Sequence, residues 1–107
     1  MKLITAIVNK EDSKVVSSEL VKAGFTVTRL ATTGGFLLAG NVTMLMGVED
    51  DKVDECIATI SQFSRQRTEI VPSTASYGVG VTAAFPLEVT VGGAAVFVTN
   101  IERFEKL

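Results

Sequence analysis

From Glu49 to Phe63 the chain reads EDDKVDECIATISQF, and Val53, Cys56, Ile57, Ile60 and Phe63 recur at the i, i+3, i+4, i+7 spacing of one helix face. Glu49, Asp50 and Asp51 form an acidic first turn that complements a helix N-terminus. A helix that is apolar along one stripe only must lay that stripe on a second layer. Cys56 lies on the stripe, and the chain has no histidine to activate a thiol, so this cysteine is read as core.

The flanking segments supply a sheet as that second layer. Lys2 to Val8 is apolar and rich in β-branched residues, as a central strand should be. Asp12 or Ser13 is placed to cap a first helix with Val15, Val16, Leu20, Val21 and Ala23 on one side, and Gly24 to end it. Phe25 to Leu30 alternates with period two, so Phe25, Val27 and Leu30 or its neighbourhood face the core while Thr26 and Thr28 share the other face. Val42 to Val48 (VTMLMGV) returns antiparallel to it. After the second helix, Ser64 to Ala84 reads as a long loop holding a short strand at Glu69-Ile70-Val71, and Tyr77 lies inside it. Pro86 to Val91, Gly92-Gly93 and Ala94 to Val98 have the composition of a hairpin with a two-residue turn. Ile101, Phe104 and Leu107 recur every third residue and predict a docked helical turn.

This β-α-β-β-α-β order with a terminal hairpin is an α+β, ferredoxin-like plan, an antiparallel sheet with two helices on one face. Strands such as LITAIV and VTMLMGV are apolar on both faces. With helices for one face only, a neighbouring subunit is the economical cover for the other.

Two features go beyond scaffold. In ATTGGFLLAGN, Ala31 to Asn41, glycines at 34, 35 and 40 bracket the apolar triplet Phe36-Leu37-Leu38. Such a triplet folds back on the core, meets a neighbouring subunit or stacks on a ligand. Gly47 interrupts a strand pattern, which marks a bulge, a close approach by a backbone or ligand, or a strand end.

A chain of 107 residues fits a single domain, 1–107, that buries a modest fraction of its surface and benefits from association. Ten basic against twelve acidic residues, net −2, with no long basic block, argue against nucleic-acid binding. No apolar run is long enough to span a bilayer, and a lone cysteine fits the cytoplasm. No HExxH, P-loop or paired catalytic acids are present, so an enzyme is disfavoured and no metal or cofactor is expected.

Taken together, TTGGFLLAGN, GVEDDKVDE and VGGAAVFV resemble motifs of the PII-like cyclic di-AMP receptor family, and the resemblance runs over the whole chain. It implies a homotrimer with a short loop at 33–41 and a long flexible loop at 64–84. Cyclic di-AMP is implied as the ligand, held in intersubunit clefts, with signalling to a protein target by rearrangement of the long loop. Residue by residue, it implies a hydroxyl contact from Thr28 and adenine contacts from Gly35, Phe36 and Leu37. It also implies an amide contact from Asn41, backbone reading of the base at Gly47, and a cleft position for Phe97. Three positions depart from the family pattern: Thr26 and Leu38 stand where relatives carry arginine, and Lys106 where they carry glutamine. The alternative function is a structural module of the same fold that binds no nucleotide, or binds another such as ATP.

Overall fold

The computed structural model describes residues 1–30, 40–72 and 86–107. Strand β1 (Lys2–Asn9) leads into helix α1 (Lys10–Lys22), then strands β2 (Thr28–Leu30) and β3 (Asn41–Val48). A 3-10 turn at Asp50–Lys52 opens helix α2 (Val53–Phe63). Strands β4 (Arg67–Pro72), β5 (Pro86–Val91) and β6 (Ala94–Asn100) follow. The main sheet has the order β2-β3-β1-β6, antiparallel throughout, while β4 and β5 form a separate two-stranded ribbon. With β6 as the last strand, this order matches the expected ferredoxin-like plan, with the ribbon inserted after α2.

The core lies between the sheet and the two helices. Ile4, Ala6 and Val8 of β1 and Met44, Met46 and Val48 of β3 alternate onto one face, where Val16 and Leu20 of α1 and Cys56 and Ile60 of α2 cover them. All ten are buried, so Cys56 is a core residue as read, with its Sγ 3.8 Å from the Met46 sulfur. Helix α1 closes as Gly24 predicts. Gly24 N–H donates to Val21 O and Phe25 N–H to Leu20 O, with Gly24 at φ 96°, a Schellman stop that glycine adopts at little cost.

Several expectations are corrected. The cap of α1 is Asn9, whose side chain accepts from Glu11 N–H; Asp12 and Ser13 are buried inside the first turn instead. Val15 and Val21 are exposed, because α1 buries only Asp12 and Ser13 of its first turn and a narrow stripe through Val16 and Leu20. Leu30 is exposed as well, since the alternation that turns Thr28 away from the helices turns Leu30 the same way. Gly47 is not a bulge: it pairs with Leu3 in an unbroken ladder, one residue before β3 ends at Val48.

The terminal hairpin does not form: β5 pairs with β4, and β6 crosses to the edge of the main sheet beside β1. Gly92 and Gly93 have the positive φ values of a tight turn, 83° and 79°, but use them to pass from one sheet to the other. Gly93 N–H donates to Ser64 O there. Within the segment expected as a long loop, Arg67–Pro72 are strand, and the remainder from 73 lies outside the described residues. Ile101 to Leu107 forms no helical turn. Ile101 is anchored by its N–H to Met1 O, while Phe104 and Leu107 are exposed, since a segment this short cannot offset helix nucleation without packing.

Candidate functional site

Strand alternation divides β3 cleanly. Met44, Met46 and Val48 face the helices, so Asn41, Thr43, Leu45 and Gly47 face the other way, onto the side of the sheet that neither helix covers. The register extends this face across four strands, with Thr28, Leu45, Thr5 and Phe97 in one row and Gly47, Leu3 and Thr99 in the next. Thr28, Asn41, Gly47 and Phe97 therefore share one face. Phe97 is 57% exposed on it.

At the β2 end of this face a cavity of about 660 Å³ is lined by Met1, Thr26, Thr28, Leu45, Gly47 and the tail from Phe104 to Leu107. Thr26 precedes β2 but keeps its alternation, because Phe25 and Val27 pack against the core and turn Thr26 and Thr28 outward. The two hydroxyls can each donate and accept. Gly47 does not need glycine for its backbone, and a Cβ there would find ordinary contacts, Met1 Sδ at 3.8 Å and Ile101 Cδ1 at 3.9 Å. Its value is space, as a methyl would project into the cavity.

The electrostatics of the lining are simple. Lys106 is its one basic side chain, and Glu105 is engaged by Arg103 at 3.0 Å. The Met1 ammonium lies 2.9 Å from Asp50, and its hydrogen bond holds the Asp50 carboxyl below the usual carboxylate range. Arg29 turns to the helix side as alternation requires, donating from Nη2 to Ser13 Oγ at 3.1 Å, and so does not face the cavity.

The structure thus brings Thr28 and Gly47 together with the four tail residues Phe104, Glu105, Lys106 and Leu107. Asn41 and Phe97 lie on the same face but outside this cavity. Gly47 and Asn41 are six residues apart on β3, about 20 Å, and Thr28 and Phe97 are three strands apart, about 14 Å. Gly35, Phe36 and Leu37 lie outside the described residues. Leu45 and Met1 line the cavity without having been singled out; Leu45 was readable from the period of VTMLMGV, which sets it on the face of Gly47, whereas nothing local marks Met1.

Among the described residues no helix is long and apolar enough to cross a membrane. The structure is similar to the crystal structure of a functionally unknown protein from Pediococcus pentosaceus ATCC 25745, at a TM-score of 0.75 and 34% sequence identity, over 99% of this chain and 96% of that one. A family model described as cyclic-di-AMP receptor matches residues 1–107. A match over the full length, on a fold whose open sheet face carries the cavity, places the chain in the cyclic-di-AMP receptor family.

Proposed function

We propose that the protein is a homotrimer that binds cyclic di-AMP in clefts between subunits and signals the bound state through the segment 64–84. The observation that carries this reading is the cavity on the uncovered sheet face, where Thr26, Thr28, Gly47 and Lys106 converge. Hydroxyls and exposed backbone offer partners for base edges, and the lysine offers a cation for phosphate. Asn41, Phe97 and the loop residues Gly35, Phe36 and Leu37 complete the contacts.

The spread of these residues supports a composite cleft. Thr28 and Phe97 lie about 14 Å apart across the same sheet, so a ligand seated in the cavity beside Thr28 leaves Phe97 for contacts in a second cleft. Two chains meeting face to edge bring such distant positions to one ligand. They also cover apolar side chains of the open face, including Leu30 and Phe97, that a monomer leaves in water.

Calorimetric titration with cyclic di-AMP, cyclic di-GMP and ATP tests the ligand, and light scattering on a sizing column tests the assembly. Saturable heat with cyclic di-AMP and a trimer mass are expected. Silence with all three nucleotides leaves a structural module, and a concentration-independent monomer removes the intersubunit cleft.

A further inference from the structure

We infer that the first turn of α1, Lys10–Ser13, is a positioning junction that ties the β2–β3 hairpin to the β4–β5 ribbon. Three sets of contacts meet there. Arg29 of β2 donates to the Ser13 hydroxyl at 3.1 Å, and that hydroxyl donates to Lys10 O at 2.8 Å. Lys10 N–H donates to Gly40 O, just before β3. Both arms of the hairpin are therefore fastened to one turn, and Asn41 pairs with Asn9, the residue that caps it.

The ribbon is fastened to the same turn from the other side. Arg67, the first residue of β4, forms a bidentate pair with Asp12, Nη2 to Oδ1 at 3.0 Å and Nη1 to Oδ2 at 3.1 Å. Asp12 is only 9% exposed, so its carboxylate is committed to this partner rather than to water. Gly92, where the ribbon leaves for β6, packs so tightly on this arrangement that a Cβ would lie 2.7 Å from Arg67 Nη1 and 2.5 Å from Arg65 O. A two-stranded ribbon is marginal by itself, so where its base is held decides how it sits. Ser13 and Asp12 are adjacent in a rigid helical turn, and a shift of one contact is felt by the other.

If a ligand displaces the hairpin, the route to the ribbon runs through Ser13 and Asp12; that regulatory meaning rests on the ligand reading above, while the mechanical coupling does not. Hydrogen exchange on the full chain without ligand separates the two. Arg67→Lys loses the planar fork. It should speed exchange in the ribbon and also across the junction, at 28–30 and 41–43, on the order of threefold or more. Asp12→Asn, which keeps shape and removes charge, should give the same pattern. Ser13→Ala should act in reverse and speed exchange in the ribbon. Acceleration confined to the ribbon in Arg67→Lys and Asp12→Asn, or confined to 28–30 in Ser13→Ala, overturns the inference. A wild type that gives no heat with cyclic di-AMP defeats the ligand reading, and the junction is still decided by exchange.

Discussion

Thr26 is the residue at which the proposed ligand contact is most sharply tested. Its side chain lines the cavity beside Thr28, where relatives carry an arginine by the resemblance drawn above. Thr26→Arg should tighten cyclic di-AMP binding by a charged hydrogen bond worth about 1.5–3 kcal/mol, tenfold or more in affinity. The gain should shrink as salt rises and be smaller for Thr26→Lys, which lacks the fork. Calorimetry at low and high salt checks this; three proteins that bind alike would show that residue 26 does not meet the ligand. Cys56 tests the core in the same way. Burial pushes its thiol from 9.0 up to about 11. The folded state then holds a proton that the unfolded chain releases, so stability is intact below pH 9 and falls as pH rises from 9 toward 11. The loss is on the order of 2 kcal/mol. Cys56→Ala should be less stable at neutral pH but lose less across that window in chemical unfolding; an equal loss would assign the pH dependence to other groups.

At the scale of elements, the passage from ribbon to sheet is the least forgiving point. Gly92 combines φ 83° with a Cβ position 2.5 Å from a backbone oxygen, whereas Gly93 at φ 79° would meet only Gln66 Cβ at 3.8 Å. Gly92→Ala should therefore cost about 2 kcal/mol or more, and Gly93→Ala only the strain of its backbone, about 1 kcal/mol. Equal costs in urea unfolding would mean that the passage is not close-packed. These two glycines also show where reading from sequence ends. Both helices and strands β1, β2 and β3 follow from local pattern, because each apolar stripe or run is set by its own residues. The pairing of β5 does not, since a Gly-Gly between two apolar runs suits a hairpin equally well. At the base of the ribbon Arg67 pairs with Asp12, 55 residues away, and β6 pairs with β1, contacts that no local pattern announces. The cap of α1 was displaced for a related reason: Asp12 is a good capping residue in isolation, but its carboxylate is taken by Arg67.

For the molecule as a whole, one sheet face is covered by helices and the other carries the cavity and an exposed Phe97. That asymmetry was readable from strands apolar on both faces with helices enough for one. The face assignments of Thr26, Thr28 and Gly47 were equally readable, being consequences of period two. The cavity wall was not, because Met1 and the tail reach it through long-range contacts to Gly47 and to each other rather than through any pattern. If cyclic di-AMP occupies this cavity as proposed, titrating it into isotope-labelled protein while following backbone amides by NMR will register its place on the sheet. Saturable shifts are expected at Thr28, Leu45 and Gly47, with Val21 on the outer side of α1 unmoved. No shift at any of these amides, or shifts confined to the groove between α2 and β6 lined by Ile57, Ile60, Gly93 and Val96, would contradict it.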